Sequence, residues 1–194
     1  GDSAEIEVRL SDRSKMIAQV IGKDPDTDLA VLKVTADRPL PHAHFGDSST
    51  VRVGQWVLAV VNPFGLGRTV TLGVVSGIGR ENVNLSRYEN FIQTDASINP
   101  GNSGGALVDT EGRLIGLNTA IFSRTGGNQG IGFAVPANLA RLTLESIIKT
   151  GKVSRGFLGV MLQPLSDELA TEFNIDASNG ALVAMLPSTG EIVA

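Results

Sequence analysis

Ser103 stands among glycines in Gly101-Asn102-Ser103-Gly104-Gly105, with Ile98-Asn99-Pro100 before it and the apolar run Ala106-Leu107-Val108 after it. Glycine lacks the Cβ that forbids tight backbone conformations. Such a turn can therefore lift a hydroxyl into the open and aim neighbouring amide N–H groups at one point. A nucleophile beside oriented donors is the equipment of acyl transfer; the same pentapeptide also makes an ordinary glycine-serine loop. Asp28, in Asp26-Thr27-Asp28-Leu29-Ala30-Val31-Leu32, enters an apolar strand, where a carboxylate costs free energy unless it is paired. It either orients a catalytic imidazole or caps a turn. His42 and His44, the only histidines, share the proline-bounded loop Leu40-Pro41-His42-Ala43-His44-Phe45. Their spacing puts both rings on one side of an extended loop. Three roles are open to them: surface residues, metal ligands lacking a third partner, or a catalytic base.

Composition excludes several other chemistries. The chain of 194 residues is 42% hydrophobic, enough for a core, and its 23 glycines with few aromatics suit a turn-rich β protein. A net charge of −4 gives no electrostatic reason to expect nucleic acid or an anionic membrane. With no cysteine there is no disulfide, zinc thiolate or thiol nucleophile. No apolar stretch is long enough to span a bilayer, and Gly1-Asp2-Ser3-Ala4-Glu5 is not a signal peptide. Gly65-Leu66-Gly67 lacks the third glycine and the helix of a dinucleotide fingerprint, and no Gly-Lys-Ser/Thr phosphate loop occurs. Neither a cofactor nor a metal is expected.

The elements that must carry Ser103 and Asp28 are short and alternating. Apolar and polar residues alternate over 6–10, and strands are expected there and over 16–21, 29–34, 56–61, 69–75, 91–94, 106–109, 114–120 and 130–135. Regular spacing with glycine-rich turns predicts an all-β antiparallel barrel or sandwich. Leu139, Leu142, Ile147 and Ile148 then recur at helical spacing, predicting a helix over 136–150 with Pro136 in its first turn and Gly151 as its C-cap. After a linker at 152–154 a second unit is expected, with strands over 157–162 and 181–185 and a helix from the cap Ser166 to about Phe173. About 40 residues lie at the lower limit for independent folding, so this unit reads as an incomplete domain.

Five runs together resemble the HtrA/Do (Deg) family of trypsin-fold serine proteases. They are Thr27-Asp28-Leu29-Ala30-Val31-Leu32-Lys33, Asn62-Pro63-Phe64-Gly65-Leu66-Gly67, Asn90-Phe91-Ile92-Gln93-Thr94-Asp95-Ala96, Asn99-Pro100-Gly101-Asn102-Ser103-Gly104-Gly105-Ala106-Leu107 and Gly130-Ile131-Gly132-Phe133-Ala134-Val135-Pro136. They follow the family's order across most of residues 5–150. The resemblance implies a trypsin-like double six-stranded β-barrel over 1–151, its first barrel incomplete, with a C-terminal helix, and a partial PDZ-like α+β unit over 155–194.

By the same resemblance Ser103 is the nucleophile and Asp28 the acid of the triad. The oxyanion hole uses the N–H groups of Gly101 and Ser103, with Asn102 between them. Residues 98–101, 66–70 and 121–128 correspond to activation and specificity loops. Ile121, Ile98 and Thr119 form an apolar primary pocket for small aliphatic side chains. Arg155-Gly156-Phe157-Leu158-Gly159 resembles a PDZ carboxylate-binding loop, where a peptide C-terminus adds as a strand beside 158–162. The implied activity is ATP-independent endoproteolysis of unfolded or misfolded proteins in the periplasm or cell envelope during stress. Chaperone activity and a homotrimer or larger assembly go with it. The family's catalytic His sits in an Asn-His-Val-Val segment that falls ahead of Gly1, and the PDZ pattern stops after Leu186-Pro187. Val61 and Arg13 stand where glycines are usual. Taken literally, the chain is then expected to be an inactive part of a protease. Loss of a triad member leaves only about 10³- to 10⁴-fold acceleration over water. The alternative is a module that holds unfolded peptide without cutting it.

Overall fold

The computed structural model describes residues 6–62, 67–123, 126–156, 160–175 and 180–185. The chain divides into two compact units, 1–153 and 154–194.

In the first unit β1 (Ile6–Arg9), β2 (Lys15–Asp24) and β3 (Leu29–Val34) form an antiparallel sheet in that order. Register places Ile6 and Val8 of β1, Met16, Ala18 and Val20 of β2, and Leu32 and Val34 of β3 on one face, as period-2 alternation requires. Arg13, in the β1–β2 hairpin, has φ 70°, the left-handed conformation that a turn glycine adopts without cost. β2 runs on to Asp24, past the expected end, because a register shift between Val20 and Gly22 keeps it paired with β3.

The second sheet closes on itself. β4 (Trp56–Val61), β5 (Thr69–Arg80), β6 (Phe91–Thr94), β7 (Ala106–Asp109), β8 (Leu114–Ile121) and β9 (Gly132–Pro136) form an antiparallel barrel in the order β4-β5-β6-β9-β8-β7. Val57, Ala59 and Val61 alternate inward along β4 and meet Val75, Ile92, Ile98, Leu107, Ile115 and Ala134 in one core. Burying each of the Val, Leu and Ile side chains among them contributes about 1.5–3 kcal/mol. β5 extends to Arg80 because shifts at Val75/Gly77 and Gly77/Arg80 hold it on β6.

Helix α1 (Ala137–Thr150) follows β9 directly. Pro136, expected in the first helical turn, has ψ 140° and is instead the last residue of β9 and the N-cap. Gly151 ends the helix in the left-handed conformation, its N–H donating to the Ile147 carbonyl. Ala137, Ala140, Thr143 and Ile147 are the buried stripe. A side chain at Gly22 of β2 would meet Ile147 at 2.7 Å, so α1 packs closely on the first sheet while its start is fixed to the barrel. The short 3₁₀ turn Ser48–Thr50 is capped by Asp47 and tied to α1 by Asn138, whose Nδ2 donates to Asp47 at 2.8 Å.

The second unit pairs β10 (Val160–Pro164) with β11 (Ala181–Met185), antiparallel. Helix α2 (Asp167–Glu172) lies between them in sequence, and the Ser166 hydroxyl accepts from the Leu169 N–H. The first part of the strand expected over 157–162 lies outside the described residues. Among the described residues no helix is long and apolar enough to cross a membrane.

Candidate active site

The chain leaves β6 at Thr94 and enters β7 at Ala106, and Ser103 sits in the connection. Gly101 and Gly104 have φ 91° and 83°, conformations that side chains strain to adopt. Gly105 is fixed by space instead: a Cβ there would lie 2.7 Å from the Val60 carbonyl oxygen. The turn's main chain is closely bonded. Asn102 donates to the Asn99 carbonyl at 3.0 Å, Gly104 to Asn118 at 2.7 Å and Gly105 to Asn102 at 3.0 Å. Between Gly101 and Gly105, the N–H groups with no bond among the described residues are those of Gly101 and Ser103. The Asn102 side chain is 2% exposed and turned inward, its amide unpartnered among the described residues.

The Ser103 side chain is exposed, and its Oγ donates to the Thr119 carbonyl at 2.7 Å. The Thr119 hydroxyl in turn donates to Asp28 Oδ2 at 3.2 Å. One residue of β8 thus touches both Ser103 and Asp28, which come from different sheets. Asp28 holds φ 58°, a conformation Asp tolerates better than most residues. The turn before it is locked: buried Thr27 donates its hydroxyl to buried Asp24 at 2.6 Å, and Tyr88 donates its N–H to the Asp26 carbonyl. Leu29, next in line, packs on Phe91, Phe133 and Val135. That anchor sets where Asp28 emerges.

The histidines lie elsewhere. Both are exposed, with ring centroids 5.2 Å apart. The His44 carbonyl accepts from Leu114, at the other end of β8 from Thr119, and five residues of strand span roughly 16 Å. Among the described residues no group of three or more His, Asp and Glu side chains could hold a metal.

Of the expected pocket residues, Ile121 and Thr119 are half-buried. Ile98 is not on the surface; it is 2% exposed and belongs to the barrel core, packed on Gly132. Ile121 packs against that same cluster. Arg155 and Gly156 are described, whereas Phe157, Leu158 and Gly159 lie outside the described residues, as do 63–66 of the Asn62 loop.

The β7–β8 hairpin that supports the site is closed by Asp109. Its carboxylate is 3% exposed and accepts from the Glu111 and Arg113 N–H groups and from Arg113 Nε at 2.7 Å. Burial pushes this carboxyl up, but the Arg113 and Glu111 hydrogen bonds outweigh it and hold it below the usual range.

A glycine-hinged serine and an aspartate thus meet at one barrel strand, and the trypsin-like peptidase domain family matches residues 1–117. The chain belongs to that family. A probable periplasmic serine endoprotease DegP-like of Chlamydia trachomatis serovar D is 50% identical over 182 residues, 94% of this chain and 36% of that protein. The periplasmic serine endoprotease DegP of Escherichia coli K12 is 49% identical over 185 residues, 95% of this chain and 39% of its own length. Among solved structures, the HtrA-type protease AlgW with tripeptide superposes with a TM-score of 0.87 at 52% identity, covering 96% of this chain and 62% of that one. AlgW with decapeptide gives 0.82, also at 52% identity, covering 96% and 57%. The HtrA/Do resemblance carried by the motifs is thus matched by whole-chain likeness. This trypsin-like peptidase chain spans little more than a third of the length of the curated relatives it matches.

Proposed function

We propose that this chain carries the nucleophile and the acid of a serine endopeptidase that cuts unfolded polypeptides in the periplasm. The single observation behind this reading is the convergence of Ser103 and Asp28 on Thr119. Ser103 Oγ attacks the scissile carbonyl, and the free N–H groups of Gly101 and Ser103 receive the developing oxyanion. Asp28, oriented by the Thr119 hydroxyl, holds and stabilises the imidazole that takes the serine proton. Since His44 and His42 lie at the far end of β8, that imidazole comes from the longer protein to which the relatives' lengths point. Ile121 and the methyl of Thr119 favour a small aliphatic side chain in the substrate. The second unit is a partial PDZ module, and Arg155 and Gly156 open the loop that takes a peptide's C-terminal carboxylate. Periplasmic location, a homotrimeric or larger assembly, quality control under stress and an accompanying chaperone activity are carried over from the HtrA/Do likeness.

In the full-length protein, Ser103→Ala is expected to abolish casein cleavage, and Asp28→Asn to lower kcat about 10⁴-fold. Unchanged turnover in the serine variant eliminates Ser103 as nucleophile. A second reading, peptide holding without cleavage, is favoured by the distance of both histidines from Ser103. It predicts suppressed aggregation of a client protein by the 194-residue chain and no fluorophosphonate labelling of Ser103; stoichiometric labelling of that chain excludes it.

A further inference from the structure

We infer that Asn128 is a positioning residue that fixes the main chain leading into the Ser103 turn. The inference rests on the peptidase reading and deepens it. Asn128 lies in the loop between β8 and β9 and is half-buried. Its Nδ2 donates to the Ile98 carbonyl at 3.0 Å and to the Ala96 carbonyl at 3.4 Å. Its own N–H donates to Asn99 Oδ1 at 3.1 Å, and its Oδ1 accepts from the Gly130 N–H at 2.6 Å. One side chain thereby grips the approach to the nucleophile and its own loop together.

The opposite side of the same segment is held by β5. The Thr71 hydroxyl donates to the Ser97 carbonyl at 3.1 Å, and the Val74 N–H donates to Asp95 Oδ1 at 2.7 Å. Gly73 is pressed so close to Ala96 that a Cβ there would lie 2.3 Å from its nitrogen. The consequence is a run of four committed carbonyls. Ala96 and Ile98 accept from Asn128, Ser97 from Thr71, and Asn99 from the Asn102 N–H.

A peptide unit is planar, so fixing a carbonyl's direction fixes the following N–H as well. The clamp ends at Asn99 and resumes at Asn102. Between these anchors lies the peptide whose N–H, on Gly101, is one of the two unbonded donors of the turn. Its direction is set by where the clamp holds Asn99. An amide suits this task because it donates twice and accepts at once. Aspartate keeps the bond from Gly130 and loses both donors. Residues 128–130 are in this way tied mechanically to the oxyanion donors.

The test compares wild type, Asn128→Asp and Asn99→Ala in the full-length protein. Asn128→Asp is expected to lower kcat about 10- to 100-fold, with KM nearly unchanged and a parallel fall in fluorophosphonate labelling of Ser103, because misplaced donors weaken transition-state rather than ground-state binding. Amide hydrogen exchange is expected to speed up over residues 96–103 and to stay constant in β4 and β8. Asn99→Ala, which removes only the acceptor for the Asn128 N–H, gives a smaller loss of the same kind and serves if Asn128→Asp does not fold. A raised KM with kcat intact overturns the inference, since Asn128 then shapes only the substrate wall. Unchanged labelling and exchange in both variants overturn it too. A wild type that never labels at Ser103 overturns the peptidase reading itself and this inference with it.

Discussion

Asp28 keeps a left-handed backbone conformation at the position where its carboxylate meets Thr119. Holding a residue there costs of order 1 kcal/mol, which the locked Asp24–Thr27 turn sustains. Two neighbouring aspartates should therefore separate function from structure. Asp28→Gly relieves the backbone and removes the carboxylate, so thermal unfolding is expected to move little while turnover in the full-length protein is lost. Asp24→Ala removes the carboxylate that accepts from buried Thr27 at 2.6 Å and leaves only the Asp24 carbonyl at 3.5 Å; it should cost about 1 kcal/mol of stability, with turnover per folded molecule retained. A thermal melt beside an active-site titration distinguishes the two. Gly105→Ala is a third test: crowding against the Val60 carbonyl is expected to cost about 1–3 kcal/mol, read as a lowered midpoint in urea unfolding.

At the scale of elements, the tie between the 3₁₀ turn and α1 carries a pH signature. Hydrogen bonds from the Ser49 hydroxyl, then Asn138 and the Ser49 N–H, lower the Asp47 carboxyl from 3.8 to about 2, with Arg141 adding a smaller attraction. A folded pKa below the unfolded one stabilises the native state above the unfolded value, and the contribution is lost as pH falls from about 4 toward 2. Asp47→Asn should flatten that part of the acid-unfolding curve, followed by circular dichroism; an unchanged slope would show that the cap is not coupled to folding. The elements themselves were largely legible in the chain. Alternating patterns located the strands, and the Ser166 and Gly151 caps bounded the helices. Strand ends were harder, because β2 and β5 continue past glycines on bulges that only their partners dictate. Thr119 was readable as a pocket residue, but its hydroxyl bond to Asp28 joins positions 91 apart, and no local pattern encodes that. Asn128 is hidden for the same reason, since three of its four bonds run to main-chain groups that any residue offers and the fourth to the side chain of Asn99, 29 positions away.

At the scale of the whole molecule, each of the two compact units pairs only its own strands. Residues 1–153 are expected to keep a cooperative thermal transition when 154–194 are removed, and limited proteolysis should cut first within 151–156. Loss of the transition on truncation would show that the first unit depends on the second. Within the first unit α1 acts as a strap. Its beginning is continuous with β9, and Ile147 presses on Gly22 of the first sheet.

The Asp28–Thr119 bond spans that junction, and this bears on biosynthesis. A chain emerging residue by residue makes Asp28 long before Thr119, so on the proposed peptidase reading a half-made molecule has no finished site. The bond between the two sheets therefore closes only after the barrel strand β8 has been made.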